Sequence, residues 1–526
     1  MSGVRYLRAG PLSALWEPEG GLRGVSWGGI EMLRRVYGAV RDPSWGTHLP
    51  VLEASDIEEQ SSSFRARFRG RTRAGTIDVA WSGEILGEAS GVLTWRIEAQ
   101  ARASFPTNRI GMCVLHPAAL AGRPCAVVQD DGRSVPGAFP EAVSPHPPFR
   151  RLRAIRWEPA PGVSAEAALE GDVFEMEDQR NWTDDSFKIY STPLEEPIPR
   201  VLAAGDTVRH ALTLRISGPA PAAEEPSGEV RVEVARGPVR PIPAVGLPVG
   251  QPAGPRIRPA HLRVELGSAD APLFRQAARE ARERGASLEV AVTPREDVEA
   301  DRLAILAAEA GLSGIRVLVG APWEELLRAV RERLGGRARL AAGSTDHYAE
   351  LNRRPPRVEG FGEVFFPAHP QVHAEDAWTI LENVEGLRHA VEDARRKFPG
   401  REVSVTPLSF APRGKQDPRE DGPLGGSWAI GALRALGEGG AARTTVDTRA
   451  GAVLEALAEA GAFEGAHALP ARSSAPRVAG AWAVAGPGGA RVLVYNRTGM
   501  PVTVRLEAPG RTVRLEPWGW ARVDLG

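Results

Sequence analysis

Cysteine is almost missing: Cys113 and Cys125 are the only two in 526 residues. Two thiols exclude a disulfide-stapled scaffold and a Cys-rich zinc site. Lysine is as scarce, with Lys188, Lys397 and Lys415 among 65 basic residues and Arg supplying the rest. No apolar run approaches the roughly 18 uninterrupted residues a membrane-spanning helix needs. Charge of one sign is also lacking, because 66 Asp and Glu offset the 65 Lys and Arg and leave a net charge of −1. With no basic block, the footprint of a nucleic-acid binder is absent. The opening MSGVRYLRAGPLSALWEPEGG has no apolar signal core. With the thiol count, that predicts a cytoplasmic protein with neither membrane nor nucleic-acid partners.

What is present is a folded composition, 42% hydrophobic and 25% charged, with 58 Gly and 45 Pro. The pattern divides the chain into four stretches. Residues 1–217 carry short alternating runs such as Thr76–Ser82, Gly91–Ala99 and Val208–Ile216, separated by Gly, Pro and Asp clusters. They predict a large antiparallel β-sandwich. Residues 218–257 are Pro-rich and read as a stiff linker with one short strand at Val230–Val234. Residues 258–476 alternate strand and helix. The candidate strands are Leu262–Leu266, Leu288–Val292, Ile315–Val319, Ala338–Ala342, Glu363–Phe366, Val403–Thr406, Thr444–Asp447 and His467–Leu469. Helical stripes lie between them, including Trp323, Leu326, Leu327, Val330 and Leu334 behind Pro322, and Trp378, Leu381, Val384 and Leu387. Eight such units predict a (β/α)8 TIM-like barrel as the catalytic domain. A doubly wound nucleotide-binding sheet loses support because no Gly-rich phosphate loop follows the first of these strands. Residues 477–526 return to antiparallel β.

A barrel carries its chemistry at the C-terminal ends of its strands. The polar residues expected there are Glu265, the run Gly343–Asn352 with Asp346, His347 and Asn352, the run Pro367–Asp376 with His369, His373 and Asp376, and Asp447. Three of the ten histidines fall in two adjacent segments, and imidazole suits either half of a proton transfer near neutrality. His369 and His373 have the i, i+4 spacing of a helical zinc site, but Pro370 between them disfavours a helix and no Glu follows the first His. The expectation is therefore no metal and no cofactor. Asp376 either fixes the tautomer of His373 or caps the helix that begins beside it. Asp346 and Asp447 form the one carboxylate pair a glycosidase could use. No Gly-x-Ser-x-Gly elbow occurs, which argues against a serine nucleophile. In the β-region, Phe174–Tyr190 gathers Glu177, Asp178, Arg180, Asn181 and Lys188 around Trp182. Fixed polar groups beside an aromatic face suit a polyol or sugar acid, although a solvated turn with ion pairs has the same composition.

FEMEDQRNWTDDSFKIYSTPL (174–194), NRIGMCVLHP (108–117), ELNRRPP (350–356), PQVHAEDAWTILENVEGL (370–387) and DPREDGPLGGSWAIGALRA (417–435) resemble the D-apionate lactonase family. The resemblance implies an N-terminal β-domain, a TIM barrel and a C-terminal β-domain, and an activity that hydrolyses a branched sugar-acid lactone in bacterial sugar-acid catabolism. The residues themselves nominate His373 as acid or base, assisted by Asp376 or His347. The nominated substrate contacts are Glu177, Asp178, Arg180, Asn181, Trp182, Lys188, Glu265, His369 and Asn352. A glycoside hydrolase using Asp346 and Asp447, and a carbohydrate-binding protein without activity, are the alternatives. The expected ligand in each case is a small sugar acid or carbohydrate; the sequence leaves the oligomeric state open.

Overall fold

The computed structural model describes residues 4–221, 229–235, 240–251, 256–266, 271–292, 298–309, 311, 314–321, 324–357 and 359–525. By contacts the chain forms two units. The first comprises residues 1–179 and 186–225, and the second residues 180–185 and 226–526.

Period-2 alternation builds the first unit. In Val92–Ala101 and Thr207–Ser217 nearly every second residue is buried, as a strand with one core-facing side requires. Seventeen strands among the described residues join into one hydrogen-bonded sheet whose pairings are all antiparallel. The expected antiparallel β-domain is present. These seventeen strands fold over one core, with Trp16 and Phe68 ring centroids 5.7 Å apart, and Phe105–Thr107 and Arg200–Leu202 form a separate two-stranded ribbon. His116 lies in that core, against Trp157 at 4.9 Å and Phe139 at 5.6 Å.

The second unit contains a closed barrel of eight parallel strands. In chain order these are β1 (Ala244–Pro248), β2 (His261–Leu266), β3 (Ser287–Val292), β4 (Ile315–Gly320), β5 (Ala338–Gly343), β6 (Glu363–Ala368), β7 (Glu402–Ser409) and β8 (Arg443–Asp447). The intervening helices are α1 (Ala271–Arg284), α2 (Val298–Glu309), α3 (Glu324–Leu334), α4 (Tyr348–Arg353), α5 (Ala377–Glu382), α6 (Val384–Lys397), α7 (Pro423–Gly439) and α8 (Gly451–Glu459). Leu326, Leu327, Val330 and Leu334 form the buried face of α3, while Pro322 and Trp323 lie outside the described residues. The Trp378 stripe belongs to two helices, because the chain turns at Asn383 between α5 and α6.

Two expectations about the barrel need correction. Its first strand is Ala244–Pro248, inside the stretch expected to be linker. Leu247 pairs with Leu262 on one side and Val245 with Thr444 on the other, which closes the barrel. His467–Leu469 is not a barrel strand; it pairs antiparallel with Ala479–Gly486. Val230–Val234 is likewise drawn into structure, running parallel to Val502–Leu506. A parallel strand needs a covered hydrophobic run more than alternation, and the five-residue run AVGLP between prolines hides that signal. The last stretch is antiparallel β as expected.

The barrel interior departs from the usual filling of branched aliphatic side chains. Glu289 is fully buried there. Its carboxylate accepts from Arg263 at 3.1 Å, Thr406 at 2.8 Å and Thr445 at 3.1 Å. Burial pushes the carboxyl pKa up, but His261, Arg263, the Thr406 hydroxyl and Arg316 outweigh it and hold the value at about 2. Arg316 also pairs with Glu363 at 2.8 Å. Removing one partner from such a network strands a buried charge, a change that costs about 3–5 kcal/mol. No helix among the described residues is long and apolar enough to cross a membrane.

Candidate active site

The loop that leaves β6 carries His369, Gln371 and His373. This is the C-terminal end of the barrel, where such loops carry chemistry. His373 is 8% exposed. Its Nδ1 is hydrogen-bonded to Asp184, which belongs to residues 180–185 of this unit. Asn383, at the turn between α5 and α6, donates to the other Asp184 oxygen at 2.7 Å and to the Pro370 carbonyl at 2.9 Å. One side chain thus ties the carboxylate to the loop bearing the imidazole. The Trp182 indole meets His373 edge-on at 5.5 Å, and the Arg353 guanidinium lies 5.1 Å from the Trp182 ring.

Local backbone explains how Asp184 arrives. Residues 179–182 form one 3-10 turn, and Thr183 follows at φ 62. A β-branched residue is uncommon there, at a cost of order 1–3 kcal/mol. Gly386 in α6 lets the segment come close; a Cβ at that position would lie 2.0 Å from the Thr183 carbonyl oxygen. His389, one turn further along α6, sits 3.3 Å from Asp185. With Nδ1 committed to a carboxylate, the neutral ring of His373 carries its lone pair on Nε2.

Two further imidazoles, on the same loop and at the start of α4, face each other. His347 and His369 have ring centroids 5.6 Å apart. The Gln371 backbone N–H donates to His369 Nδ1 at 3.3 Å, so the neutral ring has its proton on Nε2. Burial, helped by His347 and Lys415, lowers the His369 pKa to about 4. At neutral pH it is therefore an uncharged N–H donor. Gln371 is itself fixed, donating to the Phe410 carbonyl at 2.9 Å and to Asp417 at 3.1 Å. His347 begins α4, and its backbone N–H donates to Glu350 at 3.0 Å.

The other nominated residues separate by environment. Asp376 is the N-cap of α5, accepting from the Thr379 N–H at 2.9 Å and the Thr379 hydroxyl at 2.8 Å. The carboxylate on His373 Nδ1 is that of Asp184. Arg180 and Asn181 are buried, and Asn181 accepts from Asn352 at 2.8 Å. Lys397 donates to Asn352 and, at 2.7 Å, to Asp393, which also accepts from Tyr348 at 2.5 Å. Through Asn352, these hydrogen bonds tie Asn181 to α4 and α6. Asp178, in the first unit, is buried and accepts from the Ser144 N–H at 2.9 Å. Glu177 and Lys188 form an ion pair of 2.6 Å there. Glu265, at the end of β2, pairs with Arg263 at 3.1 Å and with Arg413. Asp346 has its side chain 71% exposed, and Asp447 is exposed at the end of β8, three strands round the barrel from β5. Among the described residues no three His, Cys, Asp or Glu side chains converge as metal ligands.

The roles of Asp184, Asn383 and Gly386 escape sequence reasoning. Asp184 stands in the dense 174–190 run, but its partner is 189 residues away.

Comparison with known proteins adds the following. Residues 2–219 match the model of the D-apionate lactonase N-terminal domain, and residues 253–467 that of the D-apionate lactonase TIM barrel domain. A D-apionate lactonase from Brucella anthropi is 30% identical over 488 residues, covering 81% of this chain and 79% of its own. Among solved structures, a Paenibacillus polymyxa xyloglucanase of glycoside hydrolase family 44 is 9% identical, with a TM-score of 0.40 over 57% of this chain and 100% of its own. A Clostridium papyrosolvens endoxylanase of family GH30 is 11% identical, with a TM-score of 0.38 over 55% of this chain and 97% of its own.

Proposed function

The chain belongs to the D-apionate lactonase family, and from that membership we propose that it is a hydrolase opening a small sugar-acid lactone. Water adds to the lactone carbonyl while His373 Nε2 takes its proton. The carbonyl oxygen gains charge and accepts a hydrogen bond from His369 Nε2–H. The ring C–O bond then breaks, and the proton held by His373 passes to the departing alkoxide. The product is a hydroxy acid, which ionises at neutral pH and releases one proton. Donors aimed at a developing oxyanion and a positioned base are the two contributions acyl transfer to water needs.

The observation that carries this reading is the Asp184–His373 pair on the loop after β6. A carboxylate on Nδ1 sets the tautomer and supports the imidazolium that forms when the base is protonated. His347, beside His369, assists at the leaving oxygen.

The test is direct. The purified chain is mixed with a panel of aldonolactones and a pH indicator, because each ring opening releases a proton. His373→Ala should lower turnover at least about a hundredfold, the low end for general acid–base catalysis. Full activity in that variant removes His373 from the mechanism, and no turnover of any lactone by the native chain removes the activity.

A further inference from the structure

Four neighbouring strands of the first unit, Ile30–Arg41, Arg109–Pro117, Ser186–Tyr190 and Phe174–Asp178, place charged groups on one face. Register fixes the arrangement. Arg41 lies opposite Arg109, and Tyr37 opposite Cys113. Cys113 lies opposite Tyr190, which lies opposite Glu175, and Lys188 lies opposite Glu177. Successive side chains alternate between faces, so Arg41, Arg109, Lys188, Glu175 and Glu177 share this side. The other side carries Val40, Ile110, Met112 and Ile189, which belong to the core. Between the arginines and the Tyr37–Cys113 pair the floor is only Ala39 and Gly111.

Trp45 overhangs this face. It is 39% exposed, and its φ of 67 is rare for a bulky residue. Asp42 holds the loop, accepting from the Ser44 and Gly46 N–H groups at 2.8 Å each. The indole lies 4.9 Å from the Arg109 guanidinium carbon and 5.7 Å from that of Arg41. On its other contact Arg109 stacks 3.7 Å from the Tyr190 ring centre. Strain of this kind points toward function rather than stability.

The donors are not used up. Beyond a 3.9 Å ion pair with Glu175, the Arg109 guanidinium makes no hydrogen bond among the described residues. Arg41 donates to Thr47 at 2.6 Å, and its buried Nε has no partner among the described residues. Glu175 is occupied by Tyr190 and the Leu194 N–H. Glu177 pairs with Lys188 through Oε2. Of the nearby charges, Arg35 is held by Glu17 at 2.7 Å, and Asp42 by His48 at 2.8 Å. Arg41, Arg109 and Lys188 share this face with the carboxylates of Glu175 and Glu177.

We propose that this face is a binding site for a polyhydroxylated monocarboxylate, with Arg41 and Arg109 taking the carboxylate, Trp45 covering a C–H face and Glu177 accepting from a hydroxyl. A guanidinium matches a carboxylate in two hydrogen bonds, and an aromatic shelf suits the apolar face of a polyol. The two glutamates disfavour a dianion by like-charge repulsion.

The site stands independently of the lactonase reading, so its test measures binding and not turnover. D-gluconate is titrated calorimetrically into the full chain, with D-glucitol, acetate and inorganic phosphate as separate titrants. Gluconate should bind at least about tenfold more tightly than any of the three, since each lacks the hydroxyls, the carboxylate or the single charge, and tenfold corresponds to about 1.4 kcal/mol. Trp45→Gly suits the left-handed backbone and should weaken gluconate about tenfold. Arg109→Gln should abolish it. If Arg109→Gln fails to fold, Trp45→Gly alone decides. Native gluconate affinity in Trp45→Gly overturns the proposal, as does phosphate binding as tightly as gluconate or an absence of gluconate binding to the native chain. An inactive chain that binds gluconate through Trp45 upholds the site and removes only the lactonase reading.

Discussion

Two aspartates near the β6 loop have different partners, and substitution tests whether their roles differ. Asp184 holds His373 Nδ1 and accepts from Asn383. Asp184→Asn keeps the shape but removes the charge and permits the wrong imidazole tautomer, a change that costs about 10⁴-fold in a comparable triad. The expected outcome is a fall in kcat of about a hundredfold or more with the fold intact, read by the indicator assay and by circular dichroism. Asp376 instead caps α5 through Thr379. Asp376→Ala should cost about 1 kcal/mol of stability and leave kcat within a few-fold. A collapse of kcat in Asp376→Ala, with native activity in Asp184→Asn, would reverse the two assignments. At this scale the sequence pointed to the histidines, because three of them cluster in two adjacent segments. It left Asp376 between cap and partner, since a carboxylate three residues from a His and one residue before a helix satisfies both patterns. Asp184 was legible only as one charge in a crowded run.

Elements show where patterning succeeds and where it stops. The strands β2 to β8 are legible as short apolar runs between helical stretches, and the buried face of α3 as a helical period. Strand β1 is not: a short run buried in a parallel sheet carries no alternation, and its flanking prolines read as linker. His467–Leu469 was indistinguishable from a barrel strand because three residues set no period, and only its partner Ala483–Ala485 decides its sheet. Helix α6 offers a test of packing against propensity. Gly386 lies inside that helix, where Ala is favoured by about 1 kcal/mol. An added methyl would meet the Thr183 carbonyl oxygen at 2.0 Å and the Asp184 carbonyl carbon at 2.9 Å, both backbone atoms. Gly386→Ala should therefore displace residues 183–184 and withdraw the carboxylate from His373. Turnover should drop as far as in Asp184→Asn, with the melting temperature lowered despite the better helix former. Native turnover in Gly386→Ala would mean that the segment shifts without moving Asp184.

Over the whole chain, buried imidazoles set how stability depends on pH. His116 and His210 in the first unit, and His261 and His369 in the second, are held neutral mainly by burial, with pKa values of about 3, 4, 4 and 4 against an ordinary 6.5. Above pH 6.5 these rings are neutral whether folded or unfolded and contribute nothing. As pH falls below 6.5 the unfolded chain binds protons that the folded chain refuses, so stability drops until each folded pKa is reached. For a pKa displaced from 6.5 to 4 the loss reaches about 3 kcal/mol. Glu289, lowered to about 2 from 4.5, adds a loss of the same sign as pH falls from 4.5 towards 2. The melting temperature should be level between pH 8 and 7 and should decline from 6.5 to 4. His116 isolates the cause, because both its ring nitrogens are buried without a partner among the described residues and its neighbours are Trp157 and Phe139. His116→Phe replaces the ring with an apolar one of similar shape and deletes one of the titrating groups. The variant should match or exceed the native melting temperature at pH 7 and should lose less of it by pH 5. An equally steep decline in His116→Phe would mean that the ring is solvated before the chain unfolds, and that its burial does not set the acid limit of the fold.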